Sequence, residues 1–170
     1  MSRRAPEFSR LVRLSQIGPE PCRRHIEATG EEREQLSRRF DLISLDRFVA
    51  EVELRRQSAE LVLLQAQFEA EFEQCCAVTL EPVPGAVRER FSLVYGPAPE
   101  AEREITVSDD EPAFEPLDGD SIDIGEAVAQ ELSLSLPAFP RDPEAAVDLA
   151  AEPLEGPFTA LARLRRETQC

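Results

Sequence analysis

The chain of 170 residues has no lysine, no asparagine, no tryptophan and a single histidine. It has no run of about 18 apolar residues, which excludes a membrane-spanning helix of ordinary length. Its basic N-terminus lacks the apolar stretch of a signal peptide, so we expect a cytoplasmic protein with no membrane contact. Neither a glycine-rich phosphate loop nor a G-x-S-x-G motif occurs, so these patterns do not indicate an enzyme.

Cysteine is also scarce, with four residues in the chain, two of them adjacent in "EQCCAVTLEPV" at 73–83. If this stretch is a strand, Cys75 and Cys76 point to opposite faces and cannot bind one metal ion together. Cys76 then joins the apolar face as a buried packing residue, and Cys75 is half-exposed. "CRRH" at 22–25 has a ligand-like interval but forms only half of a zinc site, and His25 is expected to be solvated. We therefore expect neither a metal site nor a cofactor.

Charge is abundant, and its two signs are separated along the chain. All 19 basic residues are arginine, against 34 acids, for a formal net charge of −15. Residues 1–24 carry six arginines and two acids, residues 161–170 carry three arginines and one acid, and residues 96–155 carry 17 acids and two arginines. An acidic body repels phosphate, so only the arginine-rich ends are expected to contact RNA. The candidate RNA contacts are Arg3, Arg4, Arg10, Arg13, Arg163, Arg165 and Arg166.

Apolar and polar residues alternate in the middle of the chain. Apolar side chains occupy even positions over 48–54 and again over 62–72, which predicts strands with one face in water. The second run exceeds the usual strand length, so we expect a bend or bulge. "EPVPG" at 81–85 is typical of a turn, and 87–95 of the returning strand. A first strand is expected over 7–14 and a loop over 17–24.

Helix signals occur at three places. "TGEE" at 29–32 has the form of a capping box and predicts a helix from about 30 to 40. Apolar residues at spacings of three and four predict a second helix over 122–137, ended by Pro137. Pro157 stands at the start of a short basic C-terminal helix or tail, 157–170. The predicted fold is α+β, with a curved antiparallel sheet or barrel-like meander and two or three short helices.

Four segments together resemble the YceD family of large ribosomal RNA subunit accumulation proteins. They are "CAVTLEPV" at 76–83, "FSLVYGP" at 91–97, "LDGDSIDIGEAVAQELSLSLPAFP" at 117–140 and "PFTALARLR" at 157–165. Many family members carry a second cysteine three residues after the first, where this sequence has Thr79. That departure weakens any metal or redox role at Cys76.

The resemblance and the composition divide the chain into three parts. Residues 1–140 form a YceD-like domain with a mobile acidic loop at 96–118. Residues 141–156 form an acidic linker, and the basic segment 157–170 follows it.

The resemblance implies a non-enzymatic role in ribosome biogenesis, in the maturation or accumulation of large-subunit ribosomal RNA. The charge distribution adds the expectation that the acidic body binds a basic ribosomal protein or assembly factor of the pre-ribosomal large-subunit particle. The candidate partner surface is Asp118, Asp120, Asp123 and Glu126. An acidic adaptor or chaperone-like module without RNA contact is the alternative. A hydrolase or nuclease using the three aspartates is less favoured, because one of them is more simply a helix cap.

Overall fold

The computed structural model describes residues 6–97, 112–117 and 119–145. They form a five-stranded sheet and a separate two-stranded sheet, with two helices packed on the buried face of the larger sheet, which confirms the α+β class. In chain order the elements are β1 Leu11–Arg13, a short 3-10 helix Leu14–Gln16, β2 Cys22–Glu27, α1 Gly30–Phe40, β3 Ser44–Arg56, β4 Val62–Cys75, β5 Pro82–Gly96, β6 Ala113–Pro116, β7 Ser121–Asp123 and α2 Ile124–Ser135.

The large sheet has the strand order β2-β3-β4-β5-β6. Neighbours from β2 to β5 are antiparallel, as the predicted meander requires, whereas β6 lies parallel to β5. The sheet stays open and does not close into a barrel. The expected irregularity is a register shift on β3 between Leu45 and Arg47, opposite the long strand β4 rather than within it. The small sheet pairs β1 with β7.

The alternation read from the sequence sets the two faces of the large sheet. Every even-numbered residue of β4 is buried and every odd-numbered one is half-buried or exposed. Phe8 from the N-terminal segment continues this core, with its ring 5.3 Å from that of Phe48. Phe68 stacks edge-on against Phe48 and Phe91, both with ring centroids at 6.2 Å. The core therefore joins the chain's N-terminal segment to three strands of the sheet.

Both described helices begin at capping residues. The Thr29 hydroxyl accepts from the Glu32 N–H and the Glu32 carboxylate accepts from the Thr29 N–H, so the predicted capping box is confirmed. The helix buries Leu36 completely and Phe40 in part. The second helix is shorter than the predicted 122–137, because residues 121–123 pair with β1 before the helix begins.

Several boundaries differ from the sequence-based expectation. The expected strand at 7–14 is reduced to β1, since a 3-10 helix follows at once. The predicted loop at 17–24 ends early, because its last three residues already belong to β2. Within the predicted loop at 96–118, residues 113–116 form β6; residues 98–111 and 118 lie outside the described residues. The C-terminal segment 157–170 and the linker from residue 146 onward also lie outside them.

The predicted turn at 81–85 was wrong. The chain reverses at Cys76–Glu81, and Pro82 and Pro84 lie inside β5. Proline is tolerated in a strand whose edge has no hydrogen-bonding neighbour. Here β6 pairs with β5 only from Leu93 onward, so between residues 82 and 92 the second edge of β5 has no partner among the described strands.

Candidate functional site

Arg10, a candidate RNA contact, is held within the fold. Its guanidinium forms a two-pronged ion pair with Glu32, with N–O distances of 2.6 and 2.9 Å. It also donates to the carbonyl oxygens of Ser9 at 2.9 Å and Glu27 at 3.2 Å, and it covers the ring of Phe8 at 4.7 Å. These contacts tie the N-terminal segment to the first turn of α1. We call residues 7–13, α1 and the first turn of α2 the N-terminal junction.

The ion pair changes the titration of both partners. Hydrogen bonding from Arg10 lowers the pKa of Glu32 from 4.5 to about 2, although burial opposes the shift, and the N–H of Thr29 adds to the lowering. The same hydrogen bond raises the pKa of Arg10, and the nearby Asp123 carboxylate contributes. Both side chains therefore stay charged at neutral pH, so the pair remains formed.

Asp123, one of the three clustered aspartates, caps α2. One carboxylate oxygen accepts from the N–H groups of Gly125 and Glu126, both at 3.2 Å, and from that of Arg10 at 2.7 Å. The other oxygen accepts from the Ser9 hydroxyl at 2.6 Å. This confirms that one aspartate of the cluster is a helix cap. The same side chain also holds the N-terminal segment against the helix.

Glu126, another candidate partner residue, is paired in the same junction. Arg39 donates to both of its carboxylate oxygens, at 2.9 and 2.7 Å, and to Glu7 at 3.0 Å. The hydrogen bonds from Arg39 lower the pKa of Glu126.

The backbone of the N-terminal segment lies close against α2 at Gly125. A Cβ atom at this position would collide with the carbonyl oxygen of Phe8. The junction therefore depends on a glycine that the helix pattern did not single out.

The remaining predicted residues are less confined or lie elsewhere. Arg13 is exposed on β1, and Asp120 is exposed before β7, where its carbonyl accepts from the Leu14 N–H at 2.8 Å. Thus Arg10, Asp123 and Glu126 come together in one cluster, whereas Arg13 and Asp120 flank it. The other candidates lie outside the described residues: Arg3, Arg4, Asp118, Arg163, Arg165 and Arg166.

A second distinctive region surrounds Cys76. Its sulfur is fully buried and accepts from the N–H groups of Val78 and Thr79, both at 3.4 Å, while Cys75 is exposed. The burial expected for Cys76 is therefore confirmed, although the residue lies in the turn after β4 rather than on the apolar face of the strand, and Cys75 is exposed rather than half-exposed. The N–H of Ala77 donates to the carbonyl of Pro140 at 2.8 Å, which fastens the segment after α2 onto this turn. We call residues 76–81 and 137–142 the cysteine tip.

Backbone N–H groups surround the buried sulfur. The N–H of Asp142 is the largest influence, and together with the hydroxyl and N–H of Thr79 and the N–H of Val78 it lowers the pKa of Cys76 to about 7, although burial opposes the shift. Groups from both segments of the tip thus converge on Cys76.

The cysteine tip exposes large apolar side chains. Phe139 is 83% exposed, Leu80 is 75% exposed, and Val78 is exposed to a smaller extent. Leu80 also has a φ of 63°, a left-handed conformation that costs a residue other than glycine on the order of 1–3 kcal/mol. The sequence carried no signal for this strain, because leucine is not a residue that turns of this conformation favour.

The outer face of the large sheet is covered by paired charges of both signs. An open groove of about 710 Å³ runs over it, with Arg23, Glu53 and Arg90 in its lining. Arg23 pairs with Glu53 at 2.7 Å, and the Nδ1 atom of His25, on β2, lies 2.6 Å from a carboxylate oxygen of Glu51. Mixed charge of this kind favours neither an anion nor a cation.

Two kinds of feature are absent from the residues that the structure describes. No group of three or more histidine, cysteine, aspartate or glutamate side chains in that part of the chain is arranged to hold a metal ion. None of the helices seen there is long and apolar enough to cross a membrane.

Comparison with known protein families shows the family to which the chain belongs. The family model described as "Large ribosomal RNA subunit accumulation protein YceD" matches residues 64–163. The chain belongs to the YceD family. The match includes both segments of the cysteine tip and α2, whereas residues 7–13 and α1 of the N-terminal junction precede it. No curated protein and no solved structure matches the chain.

Proposed function

We propose that this YceD-family chain supports the accumulation of large-subunit ribosomal RNA as a non-enzymatic, cytoplasmic assembly factor. It binds the pre-ribosomal large-subunit particle chiefly through a basic ribosomal protein or assembly factor, and its arginine-rich ends contact ribosomal RNA. The observation that carries the proposal is the family match over residues 64–163.

The charges support protein contact as the main mode of binding. With a net charge of −15, the chain as a whole is repelled by the phosphate backbone and attracted to basic proteins. The guanidinium of Arg10 is engaged in the ion pair with Glu32, so this residue adds little to an RNA-binding surface. The RNA contacts in the proposal are therefore Arg3, Arg4 and Arg13 near one end and Arg163, Arg165 and Arg166 near the other.

The carboxylates of the junction support a role without catalysis. Both oxygens of Asp123 accept hydrogen bonds from the chain, and Glu126 is paired with Arg39. A general base needs an oxygen that can approach the substrate proton. We expect Asp123→Asn, which keeps a capping side chain, to support normal ribosomal RNA levels; a loss of ribosomal RNA with an unchanged melting temperature would contradict a purely structural role for this carboxylate.

Depletion tests the function. Removing the chain from its source cells should lower the ratio of large- to small-subunit ribosomal RNA, and the intact chain should restore it. An unchanged ratio would refute the proposed function.

The RNA-contact part is tested with two triple variants of equal charge. One neutralises Arg3, Arg4 and Arg13, and the matched control neutralises the exposed Arg24, Arg38 and Arg55, each to glutamine. Only the first should weaken co-sedimentation with large-subunit particles and flatten its salt dependence, because counterions are released at phosphate contacts. Equal behaviour of the two variants would favour the adaptor without RNA contact.

A further inference from the structure

The cysteine tip presents an apolar surface that none of the packing among the described residues covers. Phe139 and Leu80 belong to segments joined by the hydrogen bond from Ala77 to Pro140, so the two side chains share one end of the molecule. Burying a phenylalanine or leucine side chain is among the largest favourable terms that a binding surface can contribute. Exposed apolar side chains surrounded by polar residues are typical of interaction sites.

The charge around the tip indicates the chemistry of the partner. Residues 73–81 and 137–145 contain four acids, Glu73, Glu81, Asp142 and Glu144, against Arg141, for a net charge of −3. The guanidinium of Arg141 donates to the carbonyl of Ala145 at 2.9 Å, so it is held along its own segment. The segments that carry the apolar side chains are thus acidic, and we call their four acids the acidic rim; this charge attracts basic groups and repels phosphate.

The backbone gives an independent reason to regard the tip as a binding surface. Leu80 keeps its left-handed conformation through hydrogen bonds from its N–H to the Cys76 carbonyl at 3.0 Å and from the Cys75 thiol to its own carbonyl at 3.3 Å. The strained backbone of this exposed leucine destabilises the isolated fold, and such strain is concentrated at functional sites. Its position is explained if the side chain packs against another molecule.

We propose that the cysteine tip docks a basic protein segment whose large apolar side chain packs between Phe139 and Leu80. The inference rests on the proposed function, for which it specifies the surface that binds the basic partner. RNA does not fit this surface, because phosphates would meet the acidic rim. A second copy of the chain would bring its own acids to the same rim.

A defined peptide tests the surface without any ribosomal particle. The intact chain is titrated with a fluorescent 15-residue peptide of arginine and serine that carries one central leucine, and with a matched peptide in which serine replaces the leucine. The leucine peptide should bind about fivefold more tightly, as a single apolar anchor at an interface permits. Phe139→Ser and Leu80→Ser should each remove the preference.

The matched control is Leu11→Ser, which removes a leucine that is 66% exposed on β1, at the opposite end of α2 from the tip. This variant should keep the full preference for the leucine peptide. If the intact chain shows no preference, or if all three variants lose it equally, the proposal is wrong.

Photo-crosslinking identifies the occupant in its natural setting. The intact chain with benzoylphenylalanine in place of Phe139 is bound to large-subunit particles and irradiated. The crosslinked peptide should come from a protein and be rich in lysine and arginine. A crosslink to ribosomal RNA, to a second copy, or to residues 157–166 of the same chain would overturn the inference.

The two hypotheses fail in different ways. If the leucine preference is present but depletion leaves ribosomal RNA unchanged, the docking surface is supported and the proposed function is refuted. If depletion lowers large-subunit ribosomal RNA but the tip variants bind the peptides as the intact chain does, the proposed function stands and the tip is not its binding surface.

Discussion

The N-terminal junction and the cysteine tip lie at opposite ends of α2, and they use their side chains in opposite ways. At the junction, charged residues that resemble a binding surface in the sequence pair with one another: Arg10 with Glu32 and Arg39 with Glu126. At the tip, apolar residues that resemble core positions, such as Phe139, are exposed. The chemical type of a residue therefore does not show whether it serves the fold or a partner; its contacts do.

The largest expected difference between the two regions comes from replacing one phenylalanine in each of them by alanine. Phe8 is 1% exposed at the junction and packs on Phe48, whereas Phe139 at the tip is 83% exposed. Phe8→Ala should lower the free energy of unfolding by about 3–5 kcal/mol, and Phe139→Ala should change it by no more than about 0.5 kcal/mol. Urea denaturation measures both. Similar losses would show that the tip is part of the core.

Two glycine-to-alanine substitutions test how closely the N-terminal segment packs on α2 at the junction. Gly125→Ala should lower the free energy of unfolding by about 2–3 kcal/mol, because the new Cβ collides with the backbone of Phe8 and also approaches the nitrogen of Arg10 to 3.0 Å. In Gly30→Ala, at the start of α1, the nearest atom is 4.0 Å away. That change should be neutral or slightly stabilising, since alanine favours helices. A neutral Gly125→Ala would mean that the segment can move off the helix at little cost.

The ion pair at the junction predicts a dependence on pH. The pKa of Glu32 is lowered to about 2 in the folded chain, so its charge stabilises the fold above about pH 4.5, and this contribution is lost as the pH falls towards 2. Glu32→Gln keeps the capping side chain and should cost about 1 kcal/mol at pH 7 and almost nothing at pH 2. Thermal unfolding across this range measures the difference.

The control for this titration is Glu34→Gln, since Glu34 forms an exposed pair with Arg38 at 3.6 Å. Its effect should stay within a few tenths of a kcal/mol at each pH. A Glu32→Gln effect that does not change with pH would show that the pair with Arg10 contributes no charge-dependent stability.

Two substitutions by glycine at the tip have the smallest expected effects on stability, and they distinguish the stability of the tip from its binding. Leu80→Gly should raise the free energy of unfolding by up to about 1 kcal/mol, because glycine accepts a φ of 63° without strain. Val78→Gly, at a neighbouring exposed position without a positive φ, should lower it by about 0.5–1 kcal/mol. A Leu80→Gly variant that is more stable and yet loses its preference for the leucine peptide would support a leucine kept for binding.

Local patterns predicted the parts of the fold that depend on neighbouring residues. The period-two alternation assigned the buried face of β4, and the Thr29–Glu32 spacing located the start of α1, since both signals arise within a few residues. The turn was misplaced because Pro82, Pro84 and Gly85 favour turns in most settings, and only the sheet shows that β5 has an unpaired edge there.

The candidate site was harder to predict because its contacts are distant in sequence. Arg10 and Asp123 are separated by more than a hundred residues, and only the pairing of β1 with β7 brings the N–H of Arg10 to the carboxylate. A helix cap was predicted for one of the three aspartates before the helix, but neither the choice of Asp123 nor its bond to the N-terminal segment was predicted. The exposure of Phe139 likewise depends on how residues 137–142 wrap around the Cys76 turn, which periodicity does not describe.

The edge of β5 that has no partner among the described strands has a consequence for self-association in concentrated solution. An open edge invites a second chain to add as a strand, which is the first step of many aggregation reactions. Pro82 and Pro84 remove two hydrogen-bond donors from this strand. An antiparallel copy centred on Arg88, Glu89 or Arg90 would set like charges directly opposite one another, which destabilises the pairing. Pro82 and Pro84, which made this part of the strand resemble a turn in the sequence, thus also hinder the pairing of two copies through β5.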